Sequence, residues 1–262
     1  MPLSRLLLGA AALALLAAPA AARTAAPDFH LDEQFANKQL LIKNLNGAIE
    51  VRRAPGSQLK VTATRTAERS DPGAVHVRVT HDALGIVICA IYPGQDDVCS
   101  RSGSSHGNSV HDNDTTVDFT VELPAGSGAK LLTVNGSIDA SGLASPIDAM
   151  TVNGHINVST SSYAQAKTVN GAIHVTMGSP DWPLNRLDFA SVNGSIDVSI
   201  PKSASARVHM KTLNGSINAN VSLATKQGPF GITRSADGVI GSGHSELTFT
   251  TVNGSIALQR VP

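Results

Sequence analysis

The sequence predicts an all-β fold built as a solenoid of short strands, and three observations carry that expectation. First, an Asn-Gly pair recurs seven times, at Asn46, Asn135, Asn153, Asn170, Asn193, Asn214 and Asn253, each preceded by Val or Leu and followed three residues later by Ile. Seven isoleucines in seven units make the repeat real, and a repeat of this length marks a stacked architecture. Second, each unit alternates apolar and polar residues on both sides of the pair, the period of a strand. Third, Gly, Ala, Ser, Thr and Val dominate the composition while aromatics are 3%, which suits short strands and tight turns.

The chain opens on an address. Arg5, the apolar run 6–18 and Ala20-Ala21-Ala22 read as a signal peptide spanning 1–22. Thirteen apolar residues are too few to span a bilayer, which takes about 20, so the product is expected to be exported to the periplasm, cell envelope or exterior without a transmembrane anchor. The remainder, 23–262, is expected to form one elongated domain. Without Arg5 it carries 19 basic and 20 acidic residues, and this balance leaves no electrostatic footprint for nucleic acid.

Before the first closely spaced repeats lie Gln39–Ile42, Gln58–Thr66, Val75–Val79, Ile86–Ile91 and Val117–Leu123, all with strand patterning. Residues 94–116 lack large apolar side chains and read as a long surface loop. Cys89 and Cys99 are ten apart with Tyr92-Pro93-Gly94-Gln95 between them; in an exported protein that spacing favours one disulfide over metal ligands or a reactive thiol. No helix of useful length is expected after the leader.

From Asn135 the Asn-to-Asn spacings are 18, 17, 23, 21 and 39. Ala236-Asp237-Gly238-Val239-Ile240 fits the template with Asp for Asn, so an eighth, degenerate unit is expected inside the last gap. Six and four residues before each Asn every side chain is apolar, and so are the third and fifth after it. The apolar phase is therefore even before the pair and odd after it, which a straight strand cannot provide.

A hairpin at Asn-Gly would explain that change. A corner between two sheets would too, with Gly left-handed and the Asn side chains stacked in a ladder. The corner is favoured by the constant Ile column, by the apolar residue before every Asn, and by a unit length of 17–23 residues.

Val134-Asn135-Gly136-Ser137-Ile138, the 119–126 strand and turn, and Gly241-Ser242-Gly243 leading into Thr251-Val252-Asn253-Gly254-Ser255-Ile256 resemble the bacterial "putative adhesin" family of β-strand-repeat proteins of the DUF4097 type. The resemblance covers nearly all of the chain after the leader. It implies an exported right-handed parallel β-helix with irregular, longer N-terminal rungs, and no enzymatic activity.

Chemistry is sparse. His106, His111, Asp112 and Asp114, with Asp96 and Asp97 nearby, hold the residue types of a zinc or calcium site, but a Gly/Ser-rich loop gives them no frame, and a solvated loop is the favoured reading. His155, His174 and His209 fall in different columns. Asp139 and Asp197 share a column with Asn157 and His174 between them, which puts the carboxylates about 14 Å apart at ~4.8 Å per rung, too far for a catalytic pair. No Ser-centred elbow appears, and Gly241-x-Gly243 is too short for a phosphate loop. Trp182, in an inserted loop, is expected to cover a core edge. The last repeat reaches Val261-Pro262 without a capping segment, so an open rung is expected, covered by self-association, by another envelope protein or by a returning loop. The reading is an exported, non-enzymatic binding or scaffold module without cofactor, its partner an envelope protein or glycan; the alternative is a carbohydrate-active β-helix enzyme.

Overall fold

The computed structural model describes residues 28–95, 98–102, 113–228 and 233–262; the leader segment lies outside them. Each repeat unit contributes one strand before its Asn-Gly pair and one after it, and the two enter different sheets. The strands after the pair are β3 (Ile49–Arg53), β9 (Ile138–Leu143), β11 (Ile156–Thr160), β13 (Ile173–Met177), β15 (Ile196–Pro201), β17 (Ile217–Ala219) and β21 (Ile256–Val261). They form the parallel part of sheet I, a sheet of ten strands. The strands before it are β2 (Gln39–Lys43), β8 (Gly128–Leu132), β10 (Ile147–Met150), β12 (Ala164–Lys167), β14 (Arg186–Ala190), β16 (Ala206–Asn214) and β20 (Ser245–Asn253). They form the parallel part of sheet II, with eleven strands.

Like residues pair with like. Ile49 lies opposite Ile138, then Ile156, Ile173, Ile196, Ile256 and Ile217 follow in parallel register. The first six of these are fully buried between the sheets, and full burial of such a side chain is worth roughly 1.5–3 kcal/mol. Facing them, the column four residues before each Asn runs from Ile42 through Leu131 and Ala149 to Phe189 and Phe249, whose rings stack at 5.2 Å.

Antiparallel strands cover both ends of sheet II and one end of sheet I. In sheet I, β7 (Thr116–Leu123) lies parallel to β3, and β4 (Gln58–Thr66) and β1 (Phe29–Gln34) follow it antiparallel. In sheet II, β6 (Gly85–Ile91) lies parallel to β2 and pairs antiparallel with β5 (His76–His81). At the other end, β19 (Arg234–Ile240) runs antiparallel to β16, and β18 (Ala224–Gln227) antiparallel to β19. Among the described residues the single helical turn is the 3-10 segment Pro72–Ala74.

Four expectations are corrected. The residues 236–240 do not make an eighth corner: they lie inside β19, and the Asp237 carboxylate takes a hydrogen bond from His209 Nδ1 at 2.8 Å. The final rung is not an open end. β21 sits between β15 and β17, and β20 between β14 and β16, so the last unit made is laid inside the stack. Stacking Ile on Ile and Asn on Asn would tolerate either order; the inserted order places Phe249 rather than Met210 against Phe189.

Third, in four of the seven units the residue before the Asn does not face the core, while Leu45 in the first unit packs against it. Val152, Val169, Val192 and Leu213 are 37–39% exposed on the outside of the corner. The corner is real, but this column was no argument for it. Fourth, glycine is required at the corners by space, and a positive φ adds to that requirement only at Gly47 (124°) and Gly171 (159°). A Cβ at Gly154 would stand 2.1 Å from the Gly136 carbonyl oxygen, and one at Gly171 2.0 Å from that of Gly154. Adjacent rungs touch backbone to backbone.

Candidate functional site

At each corner the Asn side chain faces solvent and meets the Asn of the neighbouring rung. Asn135 Nδ2 donates to Asn46 Oδ1, Asn153 to Asn135, Asn170 to Asn153, Asn193 to Asn170, Asn253 to Asn193 and Asn214 to Asn253, each at 2.8 Å. The backbone repeats the pattern: Gly136 N donates to Asn153 O, Gly154 N to Asn170 O and Gly171 N to Asn193 O. Both the amide and the carbonyl of the five interior side chains are thereby engaged along the stack, while Asn46 at one end accepts and Asn214 at the other donates. The ladder is a structural spine.

A second ladder runs inside the same corner. The residue two before each Asn is Thr or Ser in six units and Asn44 in the first. Thr151 Oγ1 donates to Gly136 O at 2.8 Å, Thr168 to Gly154 O at 3.0 Å, Ser191 to Gly171 O at 3.1 Å and Thr251 to Gly194 O at 3.0 Å. These buried hydroxyls satisfy carbonyls that the bend removes from the sheet, which a buried corner demands. The sequence displayed this column plainly, as hydroxyl residues at a fixed offset where the alternation requires an inward side chain.

The outward face of sheet I is polar at most rungs, with Ala172 interrupting its first column and Ala257 its second. Its first column holds Ser137, His155, Ser195, Ser255 and Ser216; its second Asp139, Asn157, His174, Asp197 and Asn218; its third Ser141, Ser159, Thr176, Ser199 and Gln259. Neighbours bond laterally: Asn157 Nδ2 donates to Asp139 Oδ1 at 2.8 Å, and Ser137 Oγ meets His155 Nδ1 at 2.9 Å. Asp139 and Asp197 are three rungs apart, with Asn157 and His174 between.

Ser137, His155 and Asp139 bring a serine, an imidazole and a carboxylate together, a grouping that separate rungs hid from the sequence. His155 Nε2 stands 3.7 Å from Asp139 Oδ2, and both side chains are about half exposed. That distance is too long for the carboxylate to hold one imidazole tautomer as a nucleophilic triad requires.

The Cys89–Cys99 disulfide is present. It ties the start of the 94–116 loop to the outer face of sheet II, where Leu41, Val87, Cys89, Ile91 and Cys99 form a small second core. Tyr92 anchors the same segment by donating its hydroxyl to Asn46 O and Thr115 O at 3.2 and 3.1 Å, and burial raises its pKa to about 12. Of the proposed metal ligands, His106, His111 and Asp112, and the nearby Asp96 and Asp97, lie outside the described residues. Asp114 is described and serves the backbone: its carboxylate accepts from Ser70 N at 2.9 Å and Arg69 N at 3.0 Å, and these bonds hold its pKa well below the ordinary carboxylate range. No group of three or more His, Cys, Asp or Glu suited to a metal occurs among the described residues. Trp182 is buried against the main core.

No helix among the described residues is long and apolar enough to cross a membrane. No family model matches the chain, and no curated protein matches it. Among solved structures it is similar to a "putative cell adhesion protein" from Clostridium sporogenes, at 15% identity and a TM-score of 0.43, over 89% of this chain and 99% of that one. It is also similar to a "putative adhesin" from Bacteroides fragilis, at 11% identity and a TM-score of 0.22, over 89% of this chain and 96% of that one.

Proposed function

We propose that this chain is an exported, non-enzymatic right-handed β-solenoid of the bacterial cell envelope, of the DUF4097 type, that binds a glycan or an envelope protein in an adhesin-like or scaffolding role. The observation that carries the reading is the outward face of sheet I. Its rungs repeat hydroxyl, amide, imidazole and carboxylate groups at the ~4.8 Å strand spacing. A face of that kind suits many shallow hydrogen bonds to an extended polar partner rather than the enclosure of one reacting bond. The alternation of every unit between two sheets through a stacked corner favours the solenoid reading, and the disulfide is at home in an oxidising compartment.

The test is retention on a glycan array and in an envelope-fraction pull-down, for the wild type and for Asn157→Arg and Ser199→Arg. Both residues lie on the outward face, so the core is untouched. The expected result is specific retention of the wild type and its loss in the variants. Retention unchanged in both variants would remove sheet I as the binding face, and release of reducing ends from a polysaccharide panel would establish the carbohydrate-active alternative.

A further inference from the structure

The outside of sheet II at its β6–β2–β8 end sets aliphatic and cationic side chains next to one another. Strand alternation sends Leu41 and Lys43 outward from β2, and parallel register sets Leu41 beside Lys130 and Lys43 beside Leu132. The result is a checkerboard in which one diagonal is apolar and the other cationic. The next strand outward adds Val87 beside Leu41 and Cys89 beside Lys43.

The segment after Cys99 folds over this patch and brings a third cation. Arg101 Nε donates to Asp82 Oδ2 at 2.7 Å, and Nη2 donates to Gln39 O at 3.2 Å and to Asp82 Oδ1 at 3.2 Å. The disulfide two residues earlier fixes where this clamp falls. Lys43 Nζ donates to Ser100 O at 2.7 Å. Between segment and sheet an open cavity of about 710 Å³ remains, lined by Leu41, Leu84, Leu132, Lys43, Arg101 and Lys130 among others. That volume lies within the roughly 300–1,000 Å³ of small-molecule sites.

Two properties define what fits. Leu41, Leu84, Leu132 and Val134 give the lining an aliphatic part among polar and charged residues, and Leu84 stands 58% exposed at the rim. Lys43, Arg101 and Lys130 all line it; burial is the main cause that lowers the pKa of Lys43, and the charges of Arg101 and Lys130 add a smaller part that an anion among them would offset. Asp82 and Asp148 lie against Arg101 and Lys130 at 2.7 and 3.1 Å. A second cavity of about 210 Å³ shares Gln39 and Lys130 with the first and continues along the sheet past Ile147 to Tyr163 and Leu184.

We propose that this cavity is a binding site for an anionic amphiphile, a molecule with one carboxylate or phosphate head and an unbranched apolar chain. The head sits among Lys43, Arg101 and Lys130. The chain lies on Leu41, Leu84 and Leu132 and runs over the Lys130 stem toward Tyr163. The site is separate from the outward face of sheet I and does not depend on what that face binds.

Calorimetric titration of the disulfide-intact protein tests it with laurate and dodecyl phosphate below their micelle concentrations, against dodecyltrimethylammonium, dodecyl maltoside, acetate and inorganic phosphate. Saturable binding of both anionic dodecyl compounds is expected, with affinity at least about tenfold above that for the cationic and neutral chains and for the free anions, since charge complementarity and chain burial must both contribute. Laurate and dodecyl phosphate distinguish a carboxylate from a phosphate head. Lys43→Met combined with Lys130→Met should weaken laurate by about tenfold or more. Leu84→Gln, at an exposed turn where folding is insensitive, should weaken it by about threefold or more through the chain. Equal affinity for the cationic chain, equal affinity for phosphate alone, or no saturable binding of either anionic amphiphile by the wild type would overturn the proposal, as would unchanged affinity in both variants with folding verified by circular dichroism.

Discussion

From Asn135 to Asn193 the units lie in space in the order the chain makes them, whereas after Pro201 the same motif occurs twice more and the order reverses. In the first region each new rung takes the free edge left by the one before. In the second, β16 and β17 are laid one place beyond that edge, and β20 and β21 enter the gap. The local contacts are alike in both regions: Ile on Ile, Asn amide to Asn carbonyl, Gly backbone against Gly backbone. The motif therefore specifies how two rungs meet. It does not specify which two.

The largest expected contrast is in hydrogen exchange. β21 is last in sequence but interior in space, so its amides should exchange only through opening near the global unfolding free energy, on the order of 5–15 kcal/mol for a typical domain. β17, three residues at the edge of sheet I, should exchange through fraying at far lower cost. Fast exchange throughout β21 with slow exchange in β17 would return the rungs to chain order.

Glycine substitutions sharpen the comparison next. Gly171→Ala drives a Cβ to 2.0 Å from the Gly154 carbonyl oxygen between two fixed rungs and should cost about 4 kcal/mol or more, the exceptional end of single substitutions. Gly215→Ala meets Gly254 O at 1.9 Å but lies in the edge rung, which can lift away, so a loss of about 1–2 kcal/mol is expected from urea melts. Ile173→Ala, in the buried middle of its column, should cost about 2–5 kcal/mol. Ile217→Ala, at the partly exposed end, should cost roughly 1 kcal/mol or less on the same scale.

The smallest effect is at the opposite end, where Arg101 clamps Asp82. The side-chain hydrogen bond from Arg101 is the main cause that lowers the Asp82 pKa to about 2. A carboxylate whose pKa falls on folding contributes stability that is present above its unfolded value near 3.8 and is lost as pH falls through about 2. The melting-temperature difference between wild type and Asp82→Asn should accordingly be constant from neutral pH to about pH 4 and vanish toward pH 2. A difference that persists at pH 2 would detach the clamp from this carboxylate.

Much of the architecture was legible in the residues because a parallel in-register stack places each residue beside its own counterpart, so the columns of the alignment are the columns of the structure. Ile173, Asn170 and Asn157 could be placed on core, corner and outer face from spacing alone, and the position of β4 could be read from its alternation. The reading failed where one residue's pattern admits two environments. Val152, Val169, Val192 and Leu213 were taken as inward because they are apolar, yet they cover the outside of the bend. Asp237-Gly238 matched the corner by identity and lies in a straight antiparallel strand, because β16 offered a free edge and no rung offered a place for another turn.

What the sequence by itself determined is the rung: its length, its two faces, its Asn corner and the Ile that must meet another Ile. Steric identity between neighbours sets these, and they are local to each unit. What only the tertiary structure decided is the order of the last rungs, the antiparallel strands at sheet ends, and the fold of the disulfide-tied segment over Leu41 and Lys43. Those depend on which edge is free and which surface is still uncovered when distant segments meet, and a repeat that fits equally well in several places cannot encode that choice.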